Sequence, residues 1–406
     1  MLAALAWRNL WRRPQRTLLS VLSVAIVSGL LVFILSFQNG VYGQMKETTL
    51  RIFDGYAELQ ANGYADDPSL DHAIADPASI AQQAQKARGV SVAAPRVNGF
   101  AILANGPRSY AAVVIGVDPD REARLSSIPT RIEAGRYLQH ADTDSAVVGD
   151  LLAKNLGVGV GGKVTMLGSA RDGSVAADVL QVRGIYHSGI PDLDRSILEM
   201  PLQRAQVTFQ MQDAANTIAL GGPSLNSVDR ALPALRALAS RAGVALRDWQ
   251  QMEPAMSDEI DLKYLTSLLF YVALVLVVAF IVLNTLLMSV LERTREFGML
   301  MALGMRPGQI AGMVWIELLA LAAIGCAIGV AIGGAITFWL QQVGVVFPID
   351  PKLLEQFGIP TRLYPSLSAL SALAGPGALA AAIAIGGLVP FGRIRRLTPA
   401  LAMRAA

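Results

Sequence analysis

Residues 18–37 read LLSVLSVAIVSGLLVFILSF, twenty consecutive residues without a charge. As an α-helix this stretch is about 30 Å long, which matches the hydrocarbon thickness of a bilayer. Three further apolar stretches occur in the second half of the chain, and the only charged residue within them is Glu317. The pattern predicts four transmembrane helices, at residues 18–38, 265–291, 308–340 and 367–392.

The charged residues are concentrated between the first two of these stretches. The chain of 406 residues is 53% hydrophobic and only 16% charged, whereas soluble proteins are about 25% charged. Most of the charges lie between Gly40 and Lys263. This composition excludes a disordered or collagen-like chain, and the single cysteine, Cys326, excludes a disulfide framework. We expect a polytopic α-helical membrane protein with a large α+β domain, residues 39–264, inserted between the first and second spans.

Arginines mark one side of the predicted membrane region. With four spans, eleven arginines fall on the same side: Arg8, Arg12, Arg13, Arg16, Arg293, Arg295, Arg306, Arg393, Arg395, Arg396 and Arg404. The positive-inside rule makes that side cytoplasmic, with both termini on it. The large domain and a shorter loop at residues 341–366 are then on the opposite side. The first span is interpreted as an uncleaved anchor, because its apolar run is too long for a signal peptide.

The inserted domain has the mixed pattern of an α+β fold. Runs rich in β-branched residues and bounded by turn residues predict strands at 56–60, 90–103, 109–117, 146–148, 163–167, 177–185 and 217–220. Pro77–Arg88 and Ser224–Ala242 carry the start and stop signals of helices. We expect an α+β layer interrupted by a β-rich subdomain at about residues 110–205. Residues 39–52 and 250–264 are expected to continue the first two spans outward as a stalk.

One segment of this domain is similar to a nucleotide-binding loop. Residues 157–163, GVGVGGK, have the P-loop spacing, but Val164 stands where a P-loop needs the hydroxyl that binds Mg²⁺. A strand is also predicted to follow, where a P-loop is followed by a helix. We therefore expect a glycine-rich turn between a helix at residues 150–156 and a strand at residues 163–167.

The sequence predicts no catalytic, cofactor or metal site. The three histidines, His72, His140 and His187, have no metal-ligand spacing and no cysteine partners. No nucleophile motif of a hydrolase is present. Acidic pairs such as Asp66–Asp67 and Asp192 with Asp194 are interpreted as solvated turns, with an ion site as the alternative.

Residues 292–307 form the predicted cytoplasmic connection between the second and third spans. The segment begins with alternating charges and then becomes apolar until it turns at Gly304 and Pro307. A short helix would place Phe297, Leu300 and Met301 on one face for burial. Taken alone, the pattern also fits a loop that only connects two spans. Residues 1–17 form a second candidate, an amphipathic helix on the inner leaflet that either anchors the first span or transmits its tilt.

Three segments together resemble the FtsX superfamily of ABC-transporter permeases. They are residues 5–10 (LAWRNL) with the arginines that follow, residues 292–304 (ERTREFGMLMALG), and residues 393–404 (RIRRLTPALAMR). The E-R-x-x-E-F-G pattern followed by A-L-G is the most specific of the three. The resemblance covers the four spans and the placement of the large domain.

The resemblance implies a type VII ABC system in the inner membrane. Two permeases, identical or paralogous, would pair, and a separate dimeric ATPase on the cytoplasmic side would bind ATP and Mg²⁺. Residues 292–307 would be the coupling helix, whose candidate residues are Glu292, Arg293, Arg295, Glu296, Phe297, Gly298, Leu303 and Gly304. Membrane lipid and a periplasmic carrier or adaptor protein would be further partners, and nucleic acid would not.

We consider three functions, two that use the ATP coupling implied by the resemblance and one that does not. The first is ATP-driven export or extraction of a lipoprotein or other amphiphile from the inner membrane. The second is mechanotransmission, in which the same motion activates a periplasmic enzyme without moving a substrate. The third is a membrane-tethered sensor without ATP coupling. In none of them is the chain itself an enzyme.

Two features inside the spans are candidates for assembly and transport. Gly325, Gly329 and Gly333 are spaced by four residues, which allows close approach of another helix either within the chain or in a dimer. Glu317 is an acid inside the third span, where an ionisable residue is costly and is expected to face protein or water. It could serve transport, packing or coupling.

Overall fold

The computed structural model describes residues 14–346 and 361–395, together with residues 8 and 348. They form two compact units. The membrane unit consists of the chain up to Gln44, Glu259–Phe347 and the residues from Arg362 onward. The α+β domain is formed by Met45–Asp258. The amphipathic helix predicted at residues 1–17, nearly all of the predicted tail and much of the predicted loop at 341–366 lie outside the described residues.

The described residues form fourteen α-helices and twelve β-strands. The helices are α1 Pro14–Ile52, α2 Pro77–Gln85, α3 Pro119–Leu125, α4 Asp150–Leu156, α5 Pro191–Ser196, α6 Leu202–Thr208, α7 Leu225–Asp229, α8 Leu232–Ala242, α9 Trp249–Met252, α10 Pro254–Glu292, α11 Thr294–Ala302, α12 Pro307–Val343, α13 Ala369–Gly386 and α14 Leu388–Arg395. The strands are β1 Ala57–Gln60, β2 Val92–Asn105, β3 Arg108–Val117, β4 Ile132–Gly135, β5 Ser145–Gly149, β6 Lys163–Ser169, β7 Val175–Tyr186, β8 Ile197–Pro201, β9 Thr217–Gly221, β10 Ala245–Asp248, β11 Val345–Val346 and β12 Arg362–Leu363.

Four helical segments of the described chain are long and apolar enough to cross a membrane: Thr17–Ile52, Pro254–Glu292, Pro307–Val343 and Ala369–Gly392. These are the four spans that the sequence predicts. Helix α1 continues without a break to Ile52, and α10 begins as early as Pro254. Both helices are therefore longer than a bilayer requires, as the predicted helical extensions at 39–52 and 250–264 imply.

Helices α1 and α12 pack through small residues. A Cβ atom added to Gly329 would lie 2.5 Å from the carbonyl oxygen of Ala25, and one added to Gly333 would lie 2.6 Å from that of Gly29. These distances mean that the two backbones approach each other so closely that only glycine fits. The predicted glycine face is therefore used within the chain. It is not free for a dimer contact, which was the other alternative.

The α+β domain is built on one sheet of ten strands, in the order β10-β1-β9-β2-β3-β8-β5-β7-β4, with β6 pairing with β2 and β7. Strand β2 pairs with different strands along its length. Its residues 92–96 pair with β9, whereas residues 97–105 pair with β3. The strand-rich part thus begins inside β2, earlier than the subdomain boundary expected near residue 110, because β2 runs without a break from its pairing with β9 into its pairing with β3.

The end of α1 is part of the hydrophobic core of the α+β domain. Ile52 and Phe53 are buried with Ile115, Val117 and Tyr186. Nearby, the backbone N–H of Ser127 donates to the carbonyl of Arg51 at 2.9 Å. The last turn of α1 is thus held inside the domain rather than resting on its surface.

Most predicted elements of this domain are observed, with local differences. The helix predicted at Ser224–Ala242 is two helices, α7 and α8, because Pro233 has no N–H to continue a helix and instead stands in the first turn of α8. Strands β4, β8 and β10 were not predicted. The glycine-rich segment is the predicted turn: Gly157 ends α4 with φ of +66°, and β6 begins at Lys163.

Candidate coupling site

Helix α11 is a short helix between the ends of two membrane helices. The chain leaves α10 at Glu292, and Arg293 adopts a non-helical conformation before α11 begins. At the other end, Gly304 has φ of +98°, a conformation that favours glycine, and the N–H of Met305 donates to the carbonyl of Leu300 at 3.0 Å. The predicted helix in this connection is thus confirmed, and its glycine terminates it.

One face of α11 is buried in the membrane unit. Phe297 is fully buried and Met301 nearly so, in a cluster with Val290, Ile310 and Val314. Leu300 is half-buried against the same cluster, and Gly298 is buried. The prediction that Phe297, Leu300 and Met301 share a buried face is confirmed. The cluster includes residues of α10 and α12, so the orientation of α11 is fixed by both neighbouring helices.

The opposite face of α11 is exposed and combines charge with apolar surface. Arg295 is exposed, Met299 is 54% exposed and Leu303 is 84% exposed. These three residues are spaced by four, so they form one row along the helix. We call Arg295, Met299 and Leu303 the exposed row. Met299 was missed by the sequence reasoning, although its position four residues from both others was the signal that would have found it.

Arg293 links α11 to α12. Its Nη1 donates to Oε2 of Glu317 at 3.3 Å, and its Nε donates to Oε2 of Glu296 at 3.4 Å. Its guanidinium also lies over the Phe297 ring, 5.4 Å from the ring centroid. The side chains of Arg293 and Glu317 are only 12% and 15% exposed. The acid inside the third span is therefore paired with a cation at the start of the candidate coupling helix.

Glu317 also borders a small cavity between the membrane helices, with both polar and apolar residues in its lining. The cavity has a volume of about 50 Å³, and hydroxyl groups from α1 and α10 line it: Thr17, Ser20, Thr285 and Ser289. A space of this size holds water, since one water needs about 10–15 Å³ of such volume. The Glu317 carboxylate thus shares a cavity with hydroxyl groups of α1 and α10 and is paired with the Arg293 guanidinium, an environment that suits a charged group in a membrane.

A second charged network is buried in the α+β domain. Arg96 donates from Nη2 to Glu122 Oε1 at 2.6 Å and to the carbonyl of Phe53 at 2.7 Å. Its guanidinium carbon lies 4.4 Å from the centroid of the Phe53 ring. Glu199 lies near this pair and accepts a hydrogen bond from the Tyr137 hydroxyl at 2.6 Å. These contacts hold Phe53, the residue after the end of α1, at the centre of the domain.

Glu199 is the group in this network that lacks a counterion of its own. It is fully buried, and its Oε1 has no hydrogen-bond partner among the residues that the structure describes. Burial and the neighbouring Glu122 carboxylate raise the pKa of Glu199 to about 8. One arginine thus stands beside two buried glutamates, and the second of them carries a proton at neutral pH.

Two family matches together cover most of the chain. Residues 17–238 match the MacB-like periplasmic core domain, and residues 268–399 match the FtsX-like permease C-terminal family. The second match contains α11, the exposed row, the Arg293–Glu317 pair and the glycine face of α12.

Named relatives align over most of this chain. The lipoprotein-releasing system transmembrane protein LolC of Neisseria meningitidis serogroup B is 24% identical over 349 residues, 81% of this chain and 80% of that protein. LolE of Haemophilus influenzae is 25% identical over 359 residues, 83% of this chain and 81% of that one. The pyoverdine export ATP-binding/permease protein PvdT of Pseudomonas aeruginosa is 25% identical over 362 residues, 85% of this chain and 52% of that protein.

The order of elements agrees with these matches, because the α+β domain lies between the first and second of four membrane helices. The chain is therefore a multi-pass membrane protein, and it belongs to the FtsX-like family of ABC-transporter permeases with a MacB-like periplasmic core domain.

Proposed function

We propose that this permease exports or extracts a lipoprotein or another amphiphile from the inner membrane, driven by ATP hydrolysis in a partner ATPase subunit. In this proposal α11 is the coupling helix on the cytoplasmic side, and the α+β domain is periplasmic. The ATPase binds the nucleotide, and a second permease completes the membrane assembly. The amphiphilic class of substrate is supported by the relatives named for lipoprotein release.

The observation that carries the proposal is the two-faced structure of α11. Its buried face packs into both neighbouring membrane helices, and Arg293 joins its start to Glu317. Its exposed row offers a cation beside two large apolar side chains, with Leu303 84% exposed. A partner that binds the exposed row and moves would therefore push on α10 and α12 together. Contiguous exposed apolar surface beside charged residues marks interaction sites, and Met299 and Leu303 are neighbours in the exposed row next to Arg295.

We expect movement that begins at α11 to reach the α+β domain through helix α1. This helix continues from the membrane unit to Ile52, and Phe53 is held by Arg96 in the domain core. A rigid helix that ends inside a core transmits displacement better than a flexible loop does.

The test is purification of the full chain from native membranes in mild detergent, followed by identification of bound proteins and lipids. We expect an ABC ATPase and an acylated protein or other amphiphile to co-purify. The double variant Arg295→Glu, Leu303→Asp should release the ATPase while the four-helix unit stays folded, because both side chains are exposed. The matched control is Val175→Asp, which places a charge at an exposed apolar position of strand β7.

Retention of the ATPase by the double variant would contradict α11 as the docking helix. Capture of a periplasmic hydrolase with no acylated ligand in any preparation would favour the mechanotransmitter function over transport. If the double variant kept the cellular function of the wild type and no ATPase co-purified with either protein, the result would instead indicate a sensor without ATP coupling.

A further inference from the structure

A histidine and two aspartates meet in the α+β domain, away from the networks described above. Asp150 begins α4, His187 follows β7, and Asp194 lies in α5. One ligand atom from each residue lies within 4.8 Å of the other two. The Nδ1 atom of His187 is 3.2 Å from Oδ2 of Asp150 and 3.3 Å from Oδ2 of Asp194. Asp150 is thus brought from a distant part of the sequence to His187 and Asp194.

The charges of this cluster do not balance. Asp194 is 1% exposed; its Oδ1 accepts a hydrogen bond from the backbone N–H of Ser188 at 2.8 Å, and its Oδ2 faces His187. Within residues 14–346 and 361–395, His187 is the only ion-pair partner recorded for either aspartate. The cluster therefore has a net negative charge whether the imidazole is neutral or protonated. A buried carboxylate in this situation is stabilised by an additional cation.

We propose that Asp150, His187 and Asp194 bind a divalent cation of the zinc type. A tetrahedral ion with bonds of about 2.0–2.1 Å to nitrogen and oxygen has ligand atoms about 3.3 Å apart. The two distances from His187 Nδ1 match this spacing. Imidazole with carboxylate suits Zn²⁺ and neighbouring transition metals, whereas Mg²⁺ and Ca²⁺ are bound by oxygen ligands.

The exposure of the three residues fits entry of an ion from solvent. The side chains of Asp150 and His187 are 29% and 45% exposed, so they form the open side, while Asp194 forms the floor. The ion would bind Nδ1 of His187 in its unprotonated form. The bound ion joins the start of α4, the end of β7 and helix α5, and leaves a fourth position for water. This site is independent of the proposed coupling function.

The test is titration of the full-length protein with Zn²⁺ alone, in detergent, without a histidine tag and after treatment with a chelator. We expect one Zn²⁺ per chain, measured by calorimetry and elemental analysis. His187→Gln should weaken the affinity at least tenfold, and so should Asp150→Asn. His140→Gln changes an exposed histidine elsewhere in the same domain and should leave the affinity unchanged. Co²⁺ should give the intense visible absorption of a tetrahedral site.

His187→Gln and Asp150→Asn change the two partly exposed ligands and leave the buried Asp194 in place. Circular dichroism and the thermal midpoint without metal establish that each variant is folded. The proposal is overturned if the wild-type chain binds no Zn²⁺, or if it binds Zn²⁺ with an affinity that His187→Gln and Asp150→Asn leave unchanged.

Discussion

Arg293 makes three contacts from one side chain, and each joins a different part of the candidate coupling site. Glu317 lies on α12, Glu296 on the first turn of α11, and Phe297 in the buried cluster. The two pairs differ in environment, because Glu296 is far more exposed than Glu317. Since charge pairs are weakened by exposure to water, the contact with Glu317 should be the stronger one.

A double-mutant cycle measures that contact. Arg293→Gln and Glu317→Gln should each destabilise the membrane unit, and the coupling energy between them should be about 1–3 kcal/mol. The free energies are measured by unfolding in mixed micelles. The control cycle pairs Glu317→Gln with Arg295→Gln, whose arginine is exposed, and its effects should add. Additivity in the first cycle as well would show that the pair contributes nothing to stability.

Glu199 predicts a pH dependence of stability. Its carboxyl has a pKa of about 8 in the folded protein and near 4.5 when unfolded, so the folded state binds the extra proton between these values. Stability is therefore highest at the acid end of this range and falls as the pH rises from about 4.5 to 8. Burial raises the pKa of Asp54 to about 7 and adds a slope of the same sign.

The measurement is the thermal midpoint of the full chain between pH 5 and 9. Glu199→Gln keeps a neutral side chain of the same shape, so its midpoint should decline less over this range. Glu133→Gln, at an exposed position of strand β4, should retain the wild-type slope. A slope in Glu199→Gln equal to that of the wild type would mean that Glu199 is not the titrating group.

At the scale of elements, the buried face of α11 should determine stability, and its exposed face should determine docking. Phe297→Ala should cost about 3–5 kcal/mol, because it opens a cavity in a fully buried cluster. Leu303→Ala should change stability by less than about 0.5 kcal/mol, because its side chain is exposed. If α11 is the coupling helix, Leu303→Ala should nevertheless lower ATPase co-purification. Equal stability losses in the two variants would contradict the observed burial.

The contact between α1 and α12 gives a second prediction at this scale. Gly329→Ala adds a methyl group 2.5 Å from a backbone oxygen of α1, so the helices must separate, at a cost of about 1–3 kcal/mol. Gly334→Ala is the matched control five residues further along α12, because no described residue lies within 4 Å of its added Cβ. The difference in thermal midpoint between the two variants is the measurement. Identical midpoints would argue against this packing.

For the whole molecule, the proposed function requires α11 and the α+β domain to be on opposite sides of the membrane. In a Cys326→Ser background, Arg295→Cys and Val175→Cys each introduce one exposed thiol. An impermeant thiol reagent added to intact cells should label position 175 after the outer membrane is permeabilised and leave position 295 unlabelled until the inner membrane is opened. Labelling of position 295 from outside would mean that α11 is on the periplasmic side, where a cytoplasmic ATPase cannot bind it.

Much of this architecture was predictable because its signals are local. A span of twenty apolar residues, a run of β-branched residues and a glycine after a helix each act within one element. The same holds for the buried face of α11, since Phe297, Leu300 and Met301 are one helical turn apart. Strand β8 was missed because it contains Glu199, whose burial depends on residues that are distant in sequence.

The four spans, the place of the inserted domain and the family pattern around α11 follow from the order of residues along the chain. Which side chains meet is visible only in the folded protein. It paired Glu317 with Arg293, placed the glycine face of α12 against α1 and brought Asp150 and Asp194 to His187. Spacing along the chain sets the face on which a residue lies, whereas the packing of whole elements sets what that face contacts.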